Sequence, residues 1–192
     1  MHIEDVIAFN TIESFLTQHD QEAHLFGVQV LENNEGGGWF PDEAEEEIER
    51  WEGHVVYVCN KSISPRTWEK LESQGFPFFI QGVGLDKPEI QHIRKNDIKI
   101  TSPMDASTPL ANDFAIIGKF NRGEGKGKGY IISGIRGIGT LGAASLIVDS
   151  NKLLPLSHIS AADQFAVVVE AQFDIDEFKV TNALFHTAAE TF

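Results

Sequence analysis

Apolar residues recur along the chain in short runs separated by polar and glycine-rich segments, a pattern typical of alternating helices and strands. Residues 2–18 carry apolar side chains near helical spacing and predict an amphipathic helix. A strongly acidic helix is predicted over 43–50. A third helix is predicted over 65–72, because Ser64 and Pro65 are residue types favoured at a helix start.

Runs rich in β-branched and aromatic residues predict the strands. They cover 24–31, 54–59, 75–81, 98–100, 113–120, 130–133, 165–170 and 177–185. We expect 54–59 to be a central parallel strand. The strand over 75–81 should lie nearer an edge, because Pro77 cannot donate to a ladder. The last four segments form two pairs with short polar connections, which predicts two antiparallel hairpins.

These elements predict an α/β fold with a mixed, partly antiparallel sheet and flanking helices. At 192 residues the chain is long enough for one domain with a substantial core. We divide it into an acidic N-terminal region, 1–52, packed on an α/β core domain, 53–192.

The segment 129–148 contains the most distinctive motif. It reads as a strand ending at Ser133, a glycine-rich turn, and a helix opening near Thr140. Three glycines follow the G-x-G-x-x-G spacing of a dinucleotide-binding unit: Gly137, Gly139 and Gly142. The segment therefore predicts a Rossmann-like strand–turn–helix unit.

The chemistry of this turn favours an anion. Unpaired N–H groups and the positive end of the helix dipole would face the ligand, and Arg136 offers two parallel donors. Ligands of open α/β sheets bind at the carboxyl ends of strands, which adds the loop after 54–59 and the acidic end of 165–170. The candidate ligand-binding residues are Gly134, Arg136, Gly137, Gly139, Thr140, Asn60, Lys61, Ser62 and Glu170. A tight turn with a solvated Arg136 is the alternative, as is an ordinary strand-to-helix loop at 60–62.

A full Rossmann dehydrogenase does not fit the chain. Glu170 lies 28 residues beyond Gly142, whereas the motif expects its acidic residue after about 20. Only 22 residues follow Glu170, too few for a second mononucleotide-binding half. The connection between strands 113–120 and 130–133 is not a P-loop either, because Glu124 replaces the required lysine. Its cations, Arg122, Lys126 and Lys128, are interpreted as a solvated hairpin tip, with phosphate contact as the alternative.

The charge is distributed unevenly. The net charge is -14, and residues 1–52 hold 14 of the 29 acidic residues but only one basic residue, Arg50. This balance argues against nucleic acid as a partner, since phosphate attraction needs clustered Lys and Arg. The acidic region is either a solvated face or a docking surface for a basic protein partner.

Other function classes find little support in the sequence. The seven histidines show no metal-ligand spacing, no cofactor is predicted, and no catalytic residues can be assigned. Cys59 is expected to be a small core residue. No apolar run approaches the roughly 18 residues of a membrane span, and no secretory signal opens the chain. We expect a cytoplasmic protein without a membrane partner, and a homo-oligomer remains open.

From residue 112 onward the chain resembles an unnamed, functionally uncharacterised prokaryotic α/β domain that is often C-terminal in multidomain proteins. The resemblance rests on three motifs: Asp113-Phe-Ala-Ile-Ile-Gly-Lys, Ile131-Ile-Ser-Gly-Ile-Arg-Gly-Ile-Gly-Thr-Leu-Gly-Ala-Ala and Phe165-Ala-Val-Val-Val-Glu. Val55-Val-Tyr-Val-Cys-Asn, leading to Ser64-Pro65, is also similar, so the resemblance spans about 54–185. It implies a sensor or regulatory module fed by a small ligand.

We therefore expect a binding or sensor module for a nucleotide-like or other anionic small molecule at Gly134–Thr140. The alternative is an acidic interaction or inhibitor protein that uses residues 1–52. An enzyme that processes a nucleotide through Glu170 or Asp113 is less favoured, because no acid–base pair can be assigned.

Overall fold

The computed structural model describes residues 3–18, 31–32, 38–39, 42–58, 65–81, 88–95, 98–103, 111–153, 156, 161–177 and 179–192. The helices in these ranges are α1 (Ile3–Gln18), α2 (Asp42–Arg50), α3 (Pro65–Ser73) and α4 (Gly137–Ile147). The strands are β1 (Leu31–Glu32), β2 (Gly38–Trp39), β3 (Val55–Val58), β4 (Phe78–Gln81), β5 (Glu89–His92), β6 (Lys99–Thr101), β7 (Asn112–Asn121), β8 (Lys128–Gly134), β9 (Phe165–Asp174), β10 (Lys179–Phe185) and β11 (Glu190–Thr191). None of these helices combines the length and apolar character needed to cross a bilayer.

A six-stranded sheet forms the centre of the fold. Its order is β10-β9-β7-β8-β3, and β11 pairs with β9 as well. The β3–β8 pair is parallel, whereas every other pair in this sheet is antiparallel. The predicted mixed, partly antiparallel α/β character is thus confirmed. The position expected for strand 54–59 is wrong, since β3 lies at the end of this strand order and not at its centre.

Both predicted hairpins are confirmed. β7 pairs with β8 along seven residue pairs, and β9 pairs with β10 through a register shift between Val180 and Asn182. A separate sheet of order β4-β5-β6 places the Pro77-preceded strand at an edge, as predicted. The predicted strand 24–31 lies almost wholly outside the described residues. β5 and β11 were not predicted, because their short mixed sequences lack a run of β-branched residues.

The connection through α4 separates two parallel strands. β8 and β9 are each antiparallel to β7, which lies between them, so they run in the same direction without pairing. This is a split β-α-β arrangement. In a Rossmann fold the helix joins neighbouring parallel strands. The strand–helix unit is therefore present, whereas its Rossmann-like character remains a prediction.

Two apolar clusters cover opposite faces of the main sheet, as alternation along the strands requires. On one face, Ile117, Ile132 and Val167 pack in a single cluster with α4 and with Ala8 and Ile12 of α1. On the other face, buried residues of β3, β7, β8 and β9 pack with α3 and the β4–β5 sheet. Their members include Val55, Tyr57, Leu71, Phe76, Phe78, Ile90, Ile116, Phe120, Ile131 and Val168.

The cations of the β7–β8 tip contact the end of α2, although Gly123, Glu124 and Gly125 of the same tip are exposed. Arg122 is buried, and its guanidinium donates to the carbonyl of Ile48 and, at 2.6 Å, to that of Gly53. Lys126 donates to the Glu49 carbonyl. The interpretation of a solvated tip is therefore wrong for Arg122. These cations are attracted to the C-terminal end of α2 by the negative end of the helix dipole and by the carbonyls of Ile48 and Glu49.

Candidate functional site at the N-terminus of α4

α4 starts one turn earlier than its sequence predicts. The helix begins at Gly137 with Arg136 at its N-cap, so the expected opening near Thr140 is wrong. Gly137 and Gly139 lie in the first helical turn and not in a loop. Glycine is a poor helix former, which is why the sequence favoured a later start. A contact with strand β7 overrides this preference.

That interaction is made by Asp113 on β7. Its carboxyl group is fully buried, and Oδ2 accepts the N–H groups of Arg136 and Gly139, each at 3.0 Å. These are two of the donors that an α-helix leaves unpaired at its N-terminus. The anion that the sequence led us to expect at this turn is thus supplied, at these two donors, by the chain itself.

The ionisation of Asp113 is shifted by its surroundings. Burial raises the pKa of this carboxyl to about 6, against the opposing effect of the Ser102 hydroxyl and the N–H groups of Phe114, Arg136 and Gly139. Asp113 Oδ1 and Ser102 Oγ are both buried without a well-formed hydrogen bond. A buried carboxyl poised near neutral pH, with one oxygen unsatisfied, is a feature that clusters at functional sites.

The glycines allow close contacts with the chain itself. A Cβ at residue 139 would lie 2.6 Å from Asp113 Oδ2, and one at residue 142 would lie 2.2 Å from the Cβ of Ala171. Gly134 is as tightly confined, with 2.3 Å between its added Cβ and the Thr140 nitrogen. Thr140 Oγ1 in turn accepts the Gly134 N–H at 3.0 Å. These residues close the turn and bring α4 against the sheet.

Arg136 is the cation at this turn. It has an extended backbone with φ -122° and ψ 167°, makes no side-chain cap to the helix, and is half-buried. Asp113 does not use the N–H groups of Gly137 and Ile138, which make no hydrogen bond within the described part of the chain. Two backbone donors, the positive end of the helix dipole and the Arg136 side chain therefore lie at the same end of α4.

Most of the predicted site residues are brought together here: Gly134, Arg136, Gly137, Gly139 and Thr140. Glu170 is not among them, because its neighbours Val169 and Ala171 face α4 and alternation turns Glu170 to the opposite face of the sheet. The predicted loop residues Asn60, Lys61 and Ser62 lie outside the described residues, as does Cys59.

Asp113 and Ser102 are the site residues that sequence reasoning missed. Asp113 was considered only as a residue through which a less favoured enzyme would process a nucleotide. An acidic residue at the start of an otherwise apolar strand was the available signal, since burial of a lone carboxylate needs compensation. Ser102 gives no comparable signal in the sequence.

Within the described residues, no group of three His, Cys, Asp or Glu side chains is arranged to hold a metal ion. Comparison of the chain with protein-family models, with curated proteins and with solved structures finds no match.

Proposed function

We propose that this chain is a binding or sensor module for a small anionic molecule, nucleotide-like or otherwise, held at the N-terminus of α4. Arg136 would pair with the anion, and the N–H groups of Gly137 and Ile138 would donate to it. The proposal includes a Rossmann-like character for the unit formed by β8, the turn and α4, because it rests on the same strand–turn–helix chemistry. The observation that carries the proposal is the buried, partly unsatisfied Asp113 carboxyl directly behind these donors.

Asp113 couples binding to protonation. When ionised, it opposes the dipole and repels a second anion; when protonated, it still accepts the two N–H groups but no longer repels. Since burial raises the pKa of Asp113 to about 6, the protonated form is accessible near neutral pH. Anion binding should therefore take up a proton and strengthen as the pH falls through about 6.

The test is calorimetric titration with inorganic sulfate, AMP, ADP and NAD between about pH 5 and about pH 8. Sulfate keeps its charge across this range, so its affinity reports on the protein alone. We expect the Kd for sulfate to rise by up to about tenfold per pH unit above the Asp113 pKa. In Asp113→Asn this pH dependence should disappear.

Arg136→Gln should weaken binding about tenfold or more, because a charge-assisted pair is lost. Arg94→Gln is the matched control, since Arg94 is an exposed arginine on the β5–β6 connection. Absence of binding by every probe at about pH 5, or equal losses in the two arginine variants, would refute the proposed function.

A further inference from the structure

Glu170 lies in a second polar group of residues on the other face of the main sheet. Its members lie on or beside β7, β9 and β10, and we call them the Glu170 cluster: Asn112, Glu170, Gln172, Asn182 and His186. None of these residues contributes to the α4 site. Asn112 and Asp113 are neighbours on β7, so alternation assigns them to opposite faces of the sheet.

The hydrogen bonds in the Glu170 cluster form a series from Lys152 to Glu170, in which each residue donates to the next. Lys152 Nζ donates to Asn182 Oδ1 at 3.2 Å, and Asn182 Nδ2 donates to Gln172 Oε1 at 3.4 Å. Gln172 Nε2 then donates to Glu170 Oε1 at 3.4 Å. A lysine can only donate and a carboxylate can only accept, so the two ends of this series fix the orientation of both amides.

Asn112 adds a second donor to the same oxygen, because its Nδ2 lies 3.1 Å from Glu170 Oε1. One carboxylate oxygen thus receives two amide donors. The other, Oε2, lies 3.5 Å from Nδ1 of His186, beyond the usual range of an N–H···O hydrogen bond. The Glu170 side chain is 18% exposed and that of His186 is 38% exposed. Glu170 is therefore held in place through Oε1, whereas Oε2 has only the longer, ion-pair contact with His186 and can accept a further hydrogen bond.

The atoms of this cluster that can still form hydrogen bonds are acceptors. The donor role of Asn112 Nδ2 turns its Oδ1 away from Glu170, and this buried oxygen has no hydrogen-bond partner. The complement of a fixed carboxylate oxygen is a donor, and a charged donor makes the stronger bond. Leu184 lies directly opposite Glu170 in the β9–β10 register and is 37% exposed. Residues opposite each other in an antiparallel pair share a face, so an apolar surface adjoins the carboxylate.

We propose that the Glu170 cluster is a binding site for a primary alkylammonium group, which donates to Glu170 Oε2 while its alkyl chain packs on Leu184. The group can belong to a free amine or to a lysine side chain. The site is independent of the anion site at α4, so either can exist without the other.

The experiment is a titration followed by the ¹H–¹⁵N resonances of the Asn112 and Gln172 side-chain amides, at constant ionic strength. The probes are n-butylammonium, Nα-acetyl-lysine methylamide, tetramethylammonium and n-butanol. Tetramethylammonium carries the same charge without an N–H donor, and butanol has the same alkyl chain without the charge. We expect saturable shifts with n-butylammonium alone among the three simple probes. A response to the lysine derivative identifies a lysine side chain as an equally good source.

Glu170→Gln should weaken n-butylammonium binding about tenfold or more. Glu177→Gln removes the same charge from the exposed β9–β10 turn and should change the affinity by less than about twofold. Equal responses to n-butylammonium and tetramethylammonium in the wild-type protein would overturn the proposal even if Glu170→Gln failed to fold. Equal affinities in the two glutamine variants would also overturn it.

Discussion

Asp113 determines the start of α4 from a strand that precedes the helix in the chain. Its Oδ2 replaces the side-chain cap that Arg136 does not provide. Donation by two N–H groups favours the ionised carboxyl, whereas burial favours the neutral form. The pKa of Asp113 is raised to about 6, so the effect of burial is the larger of the two. The residue therefore stabilises the helix start, but burial of its ionised carboxyl costs free energy, and this cost depends on pH.

This cost can be measured with Asp113→Asn, because the amide oxygen can accept the same two N–H groups without a charge. The folded-state pKa lies above the value of about 3.9 for an unfolded chain. The stability that protonation provides is therefore complete below that unfolded value and is lost as the pH rises through about 6. Relative to Asp113→Asn, we expect the wild type to lose on the order of 1–2 kcal/mol between about pH 5 and about pH 8. Urea unfolding of both proteins across this range measures the difference.

Asp163→Asn serves as the control for this experiment. Asp163 is exposed, and its hydrogen bond with Lys128 lowers the pKa of its carboxyl, the opposite direction from Asp113. We expect no loss of stability relative to Asp163→Asn over the same range. Parallel stability curves for the wild type and Asp113→Asn would show that Asp113 is not the titrating group.

Among the elements, the β7–β8 hairpin does more than extend the sheet. Its tip holds the end of α2 through Arg122 and Lys126, while the Gly127 N–H donates to the Glu52 carbonyl at 2.6 Å. Lys70 of α3 donates to the Arg122 carbonyl, and burial lowers the pKa of Lys70, with the charge of Lys126 adding to the effect. The acidic helix α2 is thereby attached to the β7–β8 hairpin by cations that bind its backbone.

Arg122→Gln should release this attachment. The shorter amide cannot reach both carbonyls, and the loss of a buried, charged donor is costly, so we expect a loss of about 2–4 kcal/mol in the free energy of unfolding. In Arg122→Gln, amide hydrogen exchange should become faster than in the wild type, and the increase should be larger in α2 than in β9. Lys126→Gln removes the same charge at a less buried position and should cost less than about 1 kcal/mol. Equal losses in the two variants would contradict a specific role for Arg122.

The elements also show how far local sequence patterns reach. The two hairpins were predictable, because alternating apolar runs and short polar connections are properties of adjacent residues. The start of α4 was not, since its cap comes from Asp113, more than 20 residues earlier. The position of β3 at the end of the described strand order depends on how the strands are arranged, and the separation of Glu170 from Arg136 depends on strand alternation. No local pattern contains that information.

At the scale of the whole molecule, the last residues of the chain join the two described sheets that share a core. Glu190 of β11 pairs with β9 in the main sheet and accepts a hydrogen bond from Nε2 of His92 on β5 at 3.0 Å. The donor role of Nε2 follows because His92 Nδ1 accepts the N–H groups of Arg94 and Lys95. The Phe192 ring packs edge-on against Phe76, with 5.3 Å between the ring centroids.

Glu190→Ala tests whether this junction holds the β4–β6 sheet in place. Burial acts to raise the pKa of Glu190, but hydrogen bonds from Lys95 and His92 outweigh it and the pKa is lowered. The contribution of Glu190 is therefore present above its unfolded pKa of about 4.3 and is lost as the pH falls through the folded value. At about pH 7 we expect Glu190→Ala to cost about 1–3 kcal/mol, because the buried His92 loses its partner.

Hydrogen exchange localises that loss. If Glu190 joins the sheets, amides of β4 and β5 exchange faster in Glu190→Ala while those of β7 and β8 keep the exchange rates of the wild type. Glu177→Gln, a charge change on the exposed β9–β10 turn, should leave both regions unaffected. The same cost should shrink as the pH falls through the lowered pKa of Glu190, because the carboxylate becomes protonated in the wild type. Uniform acceleration across all strands would instead mean that the chain unfolds as one cooperative unit and that the C-terminal residues do not control the smaller sheet separately.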